Sequence, residues 1–230
     1  MKRSTPLEKF KPVMQVWSSN KDAKTCRIVV LISGNGSNLQ AIMDHCTQGS
    51  IPAEVTAVIS NVASAFGLAR ARQAGITSHC LDHRNFSNRL EYDDALAALV
   101  EAFHPDLVVL AGFMRILGPQ FVDRFAGRLV NIHPSLLPRY PGLDTHERAI
   151  ADGVREHGAS VHFVTQDLDA GPIIIQGRVT VTKDDSAEIL AARVHDVEHH
   201  IYPQAVGWFA SGRLALKDGV ALLDGKPLTD

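Results

Sequence analysis

Cysteine is scarce in this chain, and the little there is excludes two roles at once. Cys26, Cys46 and Cys80 are odd in number and none sits at metal-ligand spacing. Neither a disulfide framework nor a metal cage is expected from them, and they read as buried thiols in a reducing compartment. An excess of one charge sign is lacking as well: 23 Lys and Arg stand against 25 Asp and Glu. That balance leaves no basic field to hold a nucleic-acid backbone, so any phosphate has to be bound locally by loops and helix ends. No apolar run reaches the roughly 20 residues that span a bilayer, so no membrane partner is expected. The opening stretch, MKRSTPLEKFKPVMQVWSSNKDAKT, is basic in places but lacks the apolar core of a secretory signal. Residues 1–25 are expected to be a poorly ordered extension, and the protein cytoplasmic. Internal repeats and low-complexity linkers are absent too.

What remains is the pattern of an α/β domain. Short apolar runs alternate with helical spacing, which argues for a mostly parallel sheet covered by helices. Strands are expected at Cys26–Ser33, Glu54–Ser60, Ile76–Leu81, Asp106–Ala111 and Arg128–Ile132. Helices are expected at Leu39–His45, Ser64–Ala74, Leu90–Phe103 and His146–Asp152. Ala159–Thr165 and Pro172–Val181 form a further strand pair around the loop QDLDAG, and Ser186–Ala210 a long helix capped by Ser186. The segment HPSLLPRYPG carries Pro134, Pro138 and Pro141, which rules out regular structure and leaves room for a cis bond. Turn signals at Asp218-Gly219 and Asp224-Gly225 suggest a small terminal hairpin.

The glycine-rich turn Ser33-Gly34-Asn35-Gly36-Ser37-Asn38 joins the first strand to the first helix. Glycine permits the sharp turn, and the helix end offers unpaired N–H groups to an anion. A dinucleotide is excluded on two counts. The third glycine of that fingerprint is replaced by Leu39, and the acidic residue after the second strand by Ser60-Asn61. A lone phosphate or phosphoribose remains, alongside a turn that binds nothing.

Further along, Asn131 and His133 leave the fifth strand at the carboxyl edge, where open α/β sheets place their ligands. Residues i and i+2 of an extended segment share a face. An amide and an imidazole side by side suit a carbonyl whose oxygen becomes negative under attack. An N-x-H pair by itself does not separate that reading from a pair of packed polar residues. His195 and His199, with His200, lie on the last helix; no HExxH and no third ligand surround them, so they read as a solvated face and no metal is expected. Ser135 lacks the G-x-S-x-G context of a nucleophile. Asp169, in LDAGP, is an ordinary turn residue on composition alone.

Taken together, VVLISGNGSNLQAI, FGLARARQAGI, VVLAGFMRIL, NIHPSLLPRYPG, GASVHFVTQDLDAGPII and the final helix closely resemble the folate-dependent formyltransferases, in particular the glycinamide ribonucleotide branch. The resemblance runs from about Arg27 to about Asp224 and leaves out the first 25 or so residues. It implies a Rossmann-like, mostly parallel sheet with helices on both faces and a small C-terminal extension. It divides residues 26–230 into a phosphoribosyl-binding half, about 26–125, and a folate and catalytic half, about 126–230. It implies transfer of formyl from 10-formyltetrahydrofolate, a cosubstrate, to the amine of glycinamide ribonucleotide in purine synthesis, by a monomer or homodimer. The substrate phosphate falls on Gly36, Ser37 and Asn38, and the rest of that substrate on His195, Asp196, Val197 and Glu198. Folate falls against Met114, Arg115, Ile116 and Leu117, with Arg89 near its glutamate end. Thr165, Gln166, Asp167, Leu168 and Asp169 close the pterin side. Asn131 is assigned to the formyl oxygen and His133 to proton donation, while Asp169 supports the imidazolium, since a nearby carboxylate favours a protonated ring. Hydrolases of formyl folate carry an added N-terminal domain, and formyltransferases acting on methionyl-tRNA an added C-terminal domain, so neither of those branches is expected.

Overall fold

A computed structural model describes residues 25–228. The expected disorder of residues 1–25 therefore lies outside the described residues, apart from Thr25. Ten strands and six α-helices follow in the order β1 (Cys26–Ile32), α1 (Ser37–Thr47), β2 (Ala53–Ser60), α2 (Phe66–Gln73), β3 (Thr77–Cys80), α3 (Arg89–Glu101), β4 (Leu107–Leu110), α4 (Pro119–Arg124), β5 (Leu129–His133), α5 (Thr145–Ala151), β6 (Glu156–Phe163), β7 (Ile173–Thr180), α6 (Ala187–Ala210), β8 (Leu214–Lys217), β9 (Val220–Leu223) and β10 (Lys226–Pro227).

Seven strands form one sheet in the order β3-β2-β1-β4-β5-β6-β7. β1 to β5 pair in parallel, and β6 joins β5 antiparallel, as does β7 to β6. β1 reads CRIVVLI because both of its faces are covered, which is why its apolar residues run on without alternating. Ile28, Val30 and Ile32 enter the core beneath α1, α2, α5 and α6, while Val29 and Leu31 enter the core beneath α3 and α4. The chain winds outward from β1 to β3, then returns to lay β4 against the other side of β1. A crevice therefore opens at the carboxyl ends of β1 and β4, where such sheets bind ligands.

Several expectations shift. α4 was not expected; Gly118 caps it and Pro119 opens it, a helix start that a short apolar segment concealed. β6 begins at Glu156, three residues before the expected Ala159, because Glu156, His157 and Gly158 find partners on β7. The terminal hairpin is a three-stranded sheet, since both Asp-Gly turns are realised with positive φ at Asp218, Gly219, Asp224 and Gly225. Only Cys26 is a buried thiol; Cys46 is half-buried and Cys80 is exposed at the end of the edge strand β3. The Leu137–Pro138 bond is cis. Ser186 caps α6 as its sequence suggests, its hydroxyl accepting the Ile189 N–H at 3.3 Å.

Candidate active site

Near the crevice, Tyr202 of α6 ties β4 to β5. Its fully buried hydroxyl lies 2.9 Å from the Leu110 carbonyl and 3.2 Å from that of Val130. Beside them a cleft of about 840 Å³ runs over the ends of β4 and β5. Met114–Leu117 form one wall, Thr165–Asp169 another, and Gly142–Glu147 the mouth; Asn131, His133 and His162 lie within. Met114, Ile116, Leu143 and Leu168 are each more than half exposed, so the rim is an apolar surface open to solvent.

The strand pairing brings the polar groups together. Asn131 and His133 share one face of β5, and on the neighbouring β6 they lie opposite His162 and Ser160. Asp169, in the left-handed region at φ 51, reaches in from the turn between β6 and β7. Its Oδ2 lies 3.4 Å from His133 Nδ1 and accepts the Gly142 N–H at 2.8 Å. The other ring nitrogen of His133, Nε2, is 2.8 Å from the Tyr140 carbonyl, to which it donates. Both neighbours of the ring are thus acceptors. Tyr140 does not line the cleft and Asp169 does, so the Nδ1 edge is the one that faces a ligand.

His162 is the residue that sequence reasoning missed. Its Nδ1 donates to the Phe163 carbonyl at 2.8 Å, leaving Nε2 to accept from Asn131 Nδ2 at 3.2 Å. Burial, foremost, and the neighbouring His133 hold this imidazole below its ordinary range, which suits the neutral ring the hydrogen bonds require. The amide of Asn131 is thereby oriented, with one N–H on His162 and the other free to turn to the cleft. The available signal was the alternation in SVHF, but it becomes meaningful only once β6 is known to pair with β5.

A second group of residues lies beside the first. α1 has no side-chain cap: Gly36 holds its N-cap at φ 76, and no hydroxyl or amide fills the helix end. Gly36 is required on two counts, since a Cβ there would also lie 2.7 Å from the Gly67 Cα. Asn38 turns its side chain away from the helix end and donates from Nδ2 to Glu198 Oε2 at 2.8 Å, while its own buried Oδ1 has no partner. His195 Nε2 is 3.7 Å from the same carboxylate. Burial raises the Glu198 carboxyl above its ordinary value, against the opposite pull of Asn38, His195 and His133. Asp196 is exposed and Val197 half-buried on the same helix. Arg89 stays outside the cleft lining, its guanidinium 3.6 Å from the buried Asp93. Among the described residues no three His, Cys, Asp or Glu side chains are grouped to hold a metal ion. No helix there is long and apolar enough to cross a membrane.

A family model described as formyl transferase matches residues 26–206. The phosphoribosylglycinamide formyltransferase of Escherichia coli is 57% identical over 201 residues, covering 87% of this chain and 95% of that protein. The Haemophilus influenzae protein of the same name is 52% identical over 202 residues, covering 88% and 95%. Among solved structures, the phosphoribosylglycinamide formyltransferase of Coxiella burnetii superposes with a TM-score of 0.86 at 53% identity, over 90% of this chain and 97% of that one. By fold, by extent of match and by identity, the chain belongs to the formyl transferase family, with the phosphoribosylglycinamide formyltransferases.

Proposed function

We propose that this protein transfers the formyl group of 10-formyltetrahydrofolate to the amine of glycinamide ribonucleotide, in the cytoplasm and as a step of purine synthesis. The observation that carries this reading is the convergence of Asn131, His133 and Asp169 in a cleft with an apolar rim. A flat heteroaromatic ring system fits the wall of Met114, Arg115, Ile116 and Leu117 opposite Thr165, Gln166, Asp167 and Leu168. Arg89, just beyond Leu117 and beside Gly118, is suited to a carboxylate at the outer end of that ligand. The open end of α1, from Gly36 through Ser37 to Asn38, receives the substrate phosphate through backbone N–H groups. Because Asn38 spends its amide N–H on Glu198, its unpartnered Oδ1 and the Glu198 carboxylate suit a donor instead, a ligand hydroxyl or amine. His195 lies against the same carboxylate and, with Asp196 beside it, is suited to the rest of the substrate, whereas Val197 packs on Gly177 of β7.

In this reading the phosphoribosyl half is about 26–125 and the catalytic half about 126–230, with Met114–Leu117 reaching across from the first. No protein nucleophile is needed. The amine attacks the formyl carbon, and the oxygen that becomes negative is met by the free N–H of Asn131 and by the Nδ1 edge of His133. The Asp169 carboxylate supports positive charge on the imidazole as the tetrahedral centre forms. A proton then passes from the attacking amine, through water and the Nδ1 edge of His133, to the folate nitrogen, and the bond from that nitrogen to the formyl carbon breaks to expel tetrahydrofolate. The test is a formyl-transfer assay that follows the folate product spectrophotometrically with both substrates present. Turnover that requires the ribonucleotide supports the proposal; phosphoribosyl binding without folate product refutes it.

A further inference from the structure

The wall made by Met114–Leu117 belongs to no helix or strand. Two side chains pin its backbone. At the far end the Gly118 N–H donates to the buried Asp93 carboxylate at 2.7 Å. At the near end the Met114 N–H donates to Ser33 Oγ at 2.8 Å. That hydroxyl passes its own hydrogen to Asn61 Oδ1 at 2.5 Å, and the Ser33 N–H reaches the Gly112 carbonyl at 3.0 Å. Ser33 is the first residue after β1 and opens the phosphate turn. Asn61 is the first after β2 and only 5% exposed. One hydroxyl therefore joins the ends of β2 and β1 to the segment leaving β4, at the place where the sheet changes winding direction.

Asn61 is also the residue whose amide, in place of a carboxylate, argued against a dinucleotide. Its side chain faces the serine rather than a ribose. We propose that Ser33 and Asn61 are positioning residues for the transfer reaction: through the relay from Met114 N–H to Ser33 hydroxyl to Asn61 carbonyl, they hold the folate wall at a fixed offset from the phosphate turn. The inference rests on the reading of Met114–Leu117 as that wall. Its chemical motive is that a transfer without a protein nucleophile depends on how two bound substrates are aligned, and such alignment is lost with small displacements. The relay is asymmetric in what it supports. The phosphate turn keeps its own bracing, with the Gly67 N–H on the Gly34 carbonyl at 3.1 Å and the close approach of Gly36 to Gly67. The Met114 amide has only the serine oxygen.

The experiment measures kcat, both KM values and thermal melting for wild type, Ser33→Ala, Ser33→Thr, Asn61→Ala and the double variant Ser33→Ala/Asn61→Ala. Ser33→Ala is expected to raise the KM for the formyl folate by about tenfold and to lower kcat, with the KM for the ribonucleotide within about twofold. Ser33→Thr restores the hydroxyl and most of the loss. Asn61→Ala gives a smaller shift in the same direction, and the double variant is no worse than Ser33→Ala, because Asn61 acts through the serine. Should Ser33→Ala fail to fold, the Asn61→Ala split between the two KM values decides the matter. Equal shifts in both KM values, additive effects in the double variant, or a lower melting temperature with unchanged kinetics would each overturn the proposal. A wild-type enzyme that transfers no formyl group overturns instead the functional reading beneath it.

Discussion

Replacing Asp169 by Asn removes one charge and little else, which makes it the sharpest probe of the site. The residue sits at φ 51, a left-handed conformation that Asn tolerates nearly as well as Asp and that Ala does not. An amide oxygen can still accept the Gly142 N–H, so the turn keeps its anchor. What disappears is the attraction between a carboxylate and the positive charge that, in the proposed mechanism, develops on a ring 3.4 Å away, both side chains being buried. At an effective dielectric constant of about 20, that attraction is about 5 kcal/mol in full. Only part of it is gained between ground and transition states, and an amide dipole recovers about 1 kcal/mol. The expected fall in kcat/KM is about 10²- to 10³-fold. Steady-state transfer assays with both substrates give the rate, and thermal melting checks the fold, with a stability change of no more than about 1–2 kcal/mol expected. A variant that melts like wild type and retains kcat/KM within about tenfold would refute the electrostatic role of Asp169.

Three further outcomes follow from buried polar groups. Burial raises the Glu198 carboxyl above its ordinary value of 4.5, so its contribution to stability is fully present below that value and declines as pH rises through the shifted one. Glu198→Gln, which keeps the Asn38 bond, should therefore melt higher than wild type at neutral pH, with the gain vanishing near pH 4, while transfer activity falls; a lower melting point at neutral pH would contradict this. His157 is held down at about 4 by burial and by its neighbour His146. The unfolded chain binds that proton more readily, so stability is lost as pH falls from about 6.5 to 4, by at most about 3 kcal/mol. Urea unfolding of His157→Gln across that window should show a shallower acid loss, and an unchanged slope would exclude the histidine as its source. Tyr202→Phe deletes the hydroxyl that bridges the carbonyls of Leu110 and Val130 and should cost about 1–3 kcal/mol in urea unfolding; no change would mean that β4 and β5 hold together without it.

Much of this architecture can be read from the chain because its reasons are local. CRIVVLI can only be a strand covered on both faces, and SGNGSN can only be a tight turn into a helix end. Asn131 and His133 share a face for the simple reason that they are two residues apart in a strand. Asp169 is different: nothing in LDAGP says that the turn folds back over β5, and family resemblance alone linked it to the histidine. His162 was hidden for a related reason, since its partnership with Asn131 exists only through the antiparallel register of β5 and β6. Asn38 shows the opposite case, where the sequence located the residue but not its side chain, which turns to Glu198 160 positions away. Cys80 was misread because composition says nothing of edges, and β3 is the outermost strand of the sheet.

The place of β1 has a consequence for synthesis as well as for catalysis. β1 is paired on one side by β2, but its other side waits for Leu107–Leu110, almost eighty residues later in the chain. Until β4 leaves the ribosome, an apolar strand has an open edge. Nascent chains stalled before Leu107 should thus stick to one another or to chaperones through the edge of β1, and those long enough to pair β4 and β5 should do so less. The crevice beside the candidate site and the point at which β1 loses its open edge in the growing chain are made by the same pairing.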